Sequence, residues 1–244
     1  MLFLLNVLTD LVDLPALTGS KSILPERFKF LRSSLLFANP GAPPKTMLVT
    51  SPEKHAGKTF VTCNLAASLT ELDKKVLIID GDLRNPRLHR VFQMRNKVGL
   101  STVLTGQKSV DEGIVCRTPL KNVFVLLAGP LCPRPAELLG SKVMEELLER
   151  CGQEFDFILI DSAPLLPVID THVLASRCAA VLLVVRSGQT SRYAVNSCVE
   201  MLDRVQARIT GVVLNDVNLN DYAQYYYHSH YSYEYGSYTS RASS

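Results

Sequence analysis

The stretch Thr50-Ser51-Pro52-Glu53-Lys54-His55-Ala56-Gly57-Lys58-Thr59 follows the apolar run Met47-Leu48-Val49 and opens a segment with apolar residues at Val61, Leu65 and Leu69. Its order is strand, tight turn, helix start. Backbone N–H groups of such a turn, together with the helix N-terminus, attract phosphate oxygens. Gly57-Lys58-Thr59 matches the close of a P-loop, in which the lysine reaches the terminal phosphates and the threonine hydroxyl ligates Mg²⁺. The opening glycine of GxxxxGK[ST] is replaced by Pro52. An ordinary glycine turn before a helix is the alternative, and the flanking strand and helix favour phosphate binding.

The pattern continues outward. Lys75-Val76-Leu77-Ile78-Ile79-Asp80-Gly81-Asp82-Leu83-Arg84 reads as a buried parallel strand that ends in two carboxylates and an arginine. Ligands of open α/β sheets bind outside the carboxyl ends of strands, so Asp80 and Asp82 stand where Mg²⁺ and a reacting group would be met. A loop with Asp82 as helix N-cap is the plainer reading. Val123 to Ala128 is a third strand, and a proline-set turn at Pro133 and Pro135 leads into a helix expected to run to about Arg150. Phe157-Ile158-Leu159-Ile160-Asp161 then has the Walker B form, an apolar strand closed by an Asp that holds Mg²⁺ through water. Ala179 to Arg186 and Ile209 to Asn215 are the fifth and sixth strands, separated by a helix over Thr190 to Gln206. Alternation of this kind predicts βαβ units and a mostly parallel sheet flanked by helices, the P-loop NTPase fold. Asn215 is either a turn residue or a hydrogen-bond partner for an adenine edge.

At 244 residues one α/β domain is the default, and 47% hydrophobic residues exclude global disorder. A net charge of +3 gives no reason to expect nucleic acid as a partner. Six scattered cysteines without a CxxC pair read as reduced thiols of a cytosolic protein, with no zinc or iron–sulfur site implied. The apolar start, Met1 to Leu5, is interrupted at Asp10 and Asp13, short of the ~20 residues of a membrane span, and lacks a signal peptide's basic region. It reads as a docking or truncated N-terminal segment. Pro25 to Phe37 predicts an amphipathic helix with Phe28, Leu31, Leu35 and Leu36 on one face and Glu26, Lys29 and Arg32 as a charged stripe beside it.

The chain's end changes character. Tyr222, Tyr225, Tyr226, Tyr227, Tyr231, Tyr233, Tyr235 and Tyr238 fall within seventeen residues, and only Tyr193 lies elsewhere. Interleaved with Ser, His and Gly, this composition cannot build a core, which predicts a disordered tail. Stacking on single-stranded nucleic acid would need basic residues among the rings, and only Arg241 is present. A row of phosphoacceptors is the more specific reading. The predicted organisation is an N-terminal segment over 1–44, a P-loop core over 45–216 and a tyrosine-rich tail over 217–244.

These motifs, in this order, resemble the cytoplasmic kinase domain of the bacterial tyrosine kinases of capsule and exopolysaccharide export, the Wzc-like BY-kinases. Glu26, Lys29 and Arg32 resemble the family's ExxRxxR oligomerisation helix, with Lys29 where Arg is expected. Ala56 to Thr59 looks like its Walker A, Leu77 to Arg84 its Walker A′, Pro135 to Leu139 its PxELL segment, and Ile160 to Pro164 its Walker B with Ser162 and Ala163 in place of Thr and Pro. The resemblance implies ATP and Mg²⁺ as cofactors and transfer of the γ-phosphate to tail tyrosines of a neighbouring subunit in a ring. It implies Lys58, Asp80 and Asp82 as catalytic residues, with Asp80 accepting or orienting the tyrosine proton. Ala56, Gly57, Lys58, Thr59, Phe60, Arg84 and Asn215 would bind nucleotide, and Thr59, Asp82 and Asp161 the metal. Implied partners are further copies of the chain, a membrane activator of the polysaccharide co-polymerase type and a tyrosine phosphatase, at the inner face of the plasma membrane. A same-fold rival is a partitioning ATPase of the ParA/MinD type, which carries a second lysine five residues before the invariant one. That position is Glu53, with Lys54 out of register. A non-catalytic, nucleotide-gated scaffold is the rival from another class, and five intact phosphate- and metal-handling residues speak against it.

Overall fold

The computed structural model describes residues 2–4, 24–37, 43–109 and 112–217. The predicted tyrosine tail therefore lies outside the described residues. Among those described, eight strands form one sheet: β1 (Leu2–Leu4), β2 (Thr46–Thr50), β3 (Val76–Asp80), β4 (Cys116–Arg117), β5 (Val123–Leu126), β6 (Phe157–Asp161), β7 (Ala180–Arg186) and β8 (Ile209–Asn215), in the order β1-β8-β7-β2-β6-β3-β5-β4. Every pairing is parallel except β4 on β5.

The central strands are apolar throughout because both faces are covered, and strand periodicity divides their side chains between two cores. Met47, Val49, Ile78 and Leu159 face one core, together with Phe28, Leu31 and Leu35 of helix α1 (Leu24–Phe37) and Phe60, Val61 and Leu65 of helix α2 (Lys58–Thr70). Leu48, Ile79, Ile158 and Ile160 face the other, with Leu147 of α6 (Lys142–Glu154), Leu174 of α7 (Asp170–Ala175) and Cys198 and Leu202 of α8 (Arg192–Arg204). Short helices α3 (Leu88–Val91), α4 (Leu100–Leu104) and α5 (Pro135–Leu139) complete the set. Helix α1 is thus part of the same core as the P-loop helix. Phe28 and Phe60 meet with ring centroids 5.9 Å apart.

Three features depart from the reading of the sequence. The apolar start is an edge strand, with Leu2, Phe3 and Leu4 in register with Val212, Val213 and Leu214. The helix expected from Pro135 to about Arg150 is two helices, because Gly140 and Ser141 interrupt it and Ser141 Oγ accepts the Met144 N–H at 3.4 Å as a new N-cap. Strand β4, two residues long, carries no periodic signal and exists through its pairing with β5.

Leu31, on α1, is fully buried in the core that α1 shares with α2. Leu31→Ala is expected to lower stability by about 2–5 kcal/mol, the range for a buried leucine truncated to alanine. Urea unfolding checks this, and a loss below about 1 kcal/mol would show that α1 is dispensable to the core.

Candidate nucleotide-binding site

The P-loop leaves β2 at Thr50 and re-enters regular structure at Lys58. It turns through two left-handed positions, His55 at φ 64° and Gly57 at φ 92°. The second suits glycine, and a chain alternating in this way aims its N–H groups into one concavity. The segment after β6 holds the loop's opening from outside. Leu165 N–H donates to Ser51 O at 2.8 Å, and Leu166 N–H to the carbonyl of Pro52 at 3.3 Å. Pro52 therefore stands in the place of the motif's opening glycine with its carbonyl engaged. Ser162, where the Walker B pattern has Thr, donates its hydroxyl to Val49 O at 3.0 Å.

Lys58 is buried at the start of α2, and its Nζ donates to Ser51 Oγ at 3.1 Å. Burial pushes its ammonium below the ordinary lysine value, while the carboxylates of Asp161 and Asp82 pull the other way. Thr59 Oγ1 donates to Asp161 Oδ2 at 2.6 Å. Burial pushes the Asp161 carboxyl up to about 6, against the Thr59 hydrogen bond and the Lys58 charge. Its Oδ1, also buried, has no hydrogen-bond partner. Asp82 Oδ1 accepts the N–H groups of Arg84 at 3.2 Å and Asn85 at 2.9 Å. Between Asp80 and Asp82, Gly81 donates its N–H to Asp161 O at 2.8 Å, and a Cβ there would stand 2.9 Å from Ile160 Cγ2. Glycine therefore suits the close approach of β3 to β6 at this point.

These groups surround a cavity of about 340 Å³ lined by Gly57, Lys58, Thr59, Phe60, Asp82, Arg84 and Asp161 among the residues named from the sequence. Three named residues do not line it. Ala56 is buried behind the loop, and its carbonyl accepts Asn215 Nδ2 at 2.9 Å. Asn215 is itself fully buried: its Nδ2 braces the P-loop at Ala56, and its Oδ1 has no hydrogen-bond partner. Asp80 is also fully buried, in register with Asp161 on the neighbouring strand. Its Oδ2 accepts the N–H groups of Arg87 at 3.2 Å and Leu88 at 3.1 Å. Burial, reinforced by the charge of Asp161, pushes its carboxyl well above the usual range. In this geometry Asp80 holds the loop before α3 and is not among the residues that line the cavity. Of the two Walker A′ carboxylates, Asp82 lines the cavity.

The cavity also takes residues the sequence did not single out, among them Lys54, His55, Arg87 and Arg186. Arg186 ends β7 at the same carboxyl edge as Asp80 and Asp161, so its signal was its position at a strand end. Arg84 is fixed by a bidentate pair, Nε to Asp170 Oδ2 at 2.6 Å and Nη2 to Oδ1 at 3.0 Å. Asp170, 2% exposed, lies in no pattern that sequence could have flagged. Glu26, Lys29 and Arg32 are remote from the cavity lining. Lys29 pairs with Glu26 at 2.8 Å, and Arg32 donates to Ser68 O and pairs with Glu71 at 2.9 Å, tying α1 to the C-terminal end of α2.

The sequence matches a family described as an AAA domain over residues 49–215. It is 33% identical over 213 residues to tyrosine-protein kinase YwqD of Bacillus subtilis, covering 87% of this chain and 90% of that protein. The chain belongs to the bacterial tyrosine-protein kinase family. Solved structures agree with this placement. The chimerical protein CapA2B2 superposes with a TM-score of 0.82 at 29% identity, covering 89% of this chain and 94% of that one. The kinase domain of the Escherichia coli tyrosine kinase ETK gives 0.78 at 32% identity, with 87% and 81% covered. The septum site-determining protein MinD of Pyrococcus horikoshii, solved with Mg-ADP, is more distant, at 0.61 and 25% identity over 70% of each chain. In this tyrosine-kinase chain, the hydroxyl and carboxylate donors at Thr59, Asp82 and Asp161 form the hard oxygen set that suits Mg²⁺. The unpartnered Asp161 oxygen fits a group still to be bound.

Between about pH 4 and pH 6 the folded protein keeps the Asp161 proton that an unfolded chain has released. Ionisation in the fold therefore costs stability as pH rises through this window, on the order of 1–3 kcal/mol. Asp161→Asn is expected to melt above wild type near pH 7.5 in the absence of Mg²⁺ and nucleotide, and level with it near pH 4. An unchanged decline with pH in the variant would assign the effect to another group.

Proposed function

We propose that this chain is an ATP-dependent protein-tyrosine kinase. It transfers the γ-phosphate of ATP to the C-terminal tyrosines of a neighbouring copy, Tyr222 to Tyr238, and so regulates polymerisation and export of a capsular or other extracellular polysaccharide. The observation that carries the reading is the convergence of Lys58, Thr59, Asp82 and Asp161 on one cavity at the carboxyl edge of the sheet, in a chain of the tyrosine-kinase family.

Phosphoryl transfer needs positioning and charge neutralisation more than covalent chemistry. The turn amides and Lys58 would hold the β and γ phosphates. Mg²⁺, held through Thr59, Asp161 and Asp82, would supply further neutralisation of the phosphate oxygens. Burial keeps water from screening Lys58, so its charge acts at close to full strength. Asp82, which lines the cavity, would orient an incoming tyrosine hydroxyl. As the γ phosphorus–tyrosine oxygen bond forms, the bond to the bridging oxygen of ADP breaks and the hydroxyl proton is released.

Copies of the chain would assemble in a ring through the face that carries Glu26 and Lys29. Arg32 is already used within the chain, so it would contribute there only by exchanging partners. Each phosphotyrosine adds roughly −1.5 to −2 charges at neutral pH, and several in one tail would repel one another and the acidic site, loosening the ring. A membrane activator and a tyrosine phosphatase complete the proposed cycle, at the cytoplasmic face of the plasma membrane. Among the described residues no helix is long and apolar enough to cross a membrane.

Intact mass of the purified protein, before and after phosphatase, tests the reading. A ladder of phosphate additions that maps to Tyr222–Tyr238 and is absent from Lys58→Met is the expected result. A single unmodified mass that persists with ATP, Mg²⁺ and an added activator segment would overturn it.

A further inference from the structure

The strand order gives the cavity a direction. The P-loop rises from β2. On one side of β2 lie β6 and β3, which bring Asp161 and Asp82. On the other side lies β7, which ends in Arg186. Phosphates seated on the loop, with their terminal oxygens toward the carboxylates, leave the nucleoside end to extend toward β7. Arg186 is the cation that lines the cavity on that side.

Its surroundings hold it rigid. Arg186 Nε donates to Asp216 Oδ2 at 2.8 Å, and both side chains are 23% exposed. The Arg186 N–H donates to Thr190 Oγ1 at 3.1 Å, and the next residue, Ser187, donates its N–H to Asn215 O at 2.8 Å. Asp216 takes a left-handed conformation at φ 58°, between the fully buried Asn215 and the buried Val217. A carboxylate on Nε offsets part of the guanidinium charge and leaves its plane available. Such a pair is poorly suited to compete for phosphate and well suited to an uncharged aromatic base, on which a guanidinium stacks.

We propose that Arg186 is a nucleoside-binding residue whose guanidinium plane is the platform for the purine, and that Asp216 is its positioning residue. The proposal rests on the nucleotide reading above and adds to it the residue that recognises the base. It also ties two parts of the chain together. Asp216 pairs with the cavity-lining Arg186, follows Asn215, which braces the P-loop, and stands six residues before Tyr222 in the sequence.

The test is calorimetric titration of the full chain with ADP and, separately, with pyrophosphate, at fixed Mg²⁺. Arg186→Ala is expected to weaken ADP about five- to twentyfold and to leave pyrophosphate within about twofold, in keeping with loss of a stacked cation. Arg186→Lys, which keeps the charge without the plane, is expected not to restore ADP affinity. Asp216→Asn should give a smaller loss for ADP alone. Lys58→Ala should lose both ligands. Equal losses for ADP and pyrophosphate in Arg186→Ala would make Arg186 a phosphate ligand, and unchanged ADP binding would remove it from the site. Full restoration by lysine would overturn the platform, and wild-type affinity in Asp216→Asn the positioning role. Should Arg186→Ala melt far below wild type, the lysine and Asp216 variants carry the test. Wild-type protein that binds neither ligand would overturn the nucleotide reading itself, an outcome distinct from all of these.

Discussion

Asp80 and Asp161 end neighbouring parallel strands in register, which sets two carboxyl groups side by side in the interior of an apolar sheet. Each retains one buried oxygen without a partner. Buried acids in this state are costly unless they hold a proton, meet a cation or accept hydrogen bonds. The surrounding structure supplies two of these remedies. Asp80 accepts two N–H groups from the loop before α3, and Asp161 accepts the Thr59 hydroxyl beneath the Lys58 charge. Of the two carboxylates Asp161 alone lines the cavity, where a divalent cation and a nucleotide would complete its balance.

The sheet order follows from the same demand. Strand β2 carries the P-loop and lies beside β6, and β3 lies beside β6 on the other side. Lysine, hydroxyl and carboxylates arrive at one cavity because three adjacent strands end at one edge. The glycine at position 81 eases this approach, since a Cβ there would crowd Ile160 Cγ2 at 2.9 Å and Leu174 Cδ1 at 3.0 Å.

The loops around the cavity are tied down by charges set outside it. Asp170 grips Arg84 with both oxygens, and Asp216 grips Arg186. Each pairs a cavity-lining arginine with a carboxylate distant in sequence, so each loop is fixed to the body of the domain and not only to its own strand. For phosphoryl transfer, where positions held within fractions of an ångström decide the rate, such bracing matters more than the number of charged groups.

Local patterns determined most of the fold and half of the site. Six apolar runs each long enough for one strand, a Gly-Lys-Thr before an amphipathic segment, and aspartates at strand ends all act over a few residues, and chemistry of that range is written in order along the chain. Tertiary structure decided the rest. It made an edge strand of the first residues by pairing them with β8, and it broke one expected helix at Gly140. It set Asp80 and Asn215 outside the cavity lining, with hydrogen bonds to Leu88 and Ala56, and it brought Arg186 into the wall. These outcomes depend on which distant backbone group or charge lies within about 3 Å, the reach of a hydrogen bond. Sequence spacing does not encode that distance, so only the packed sheet could settle it.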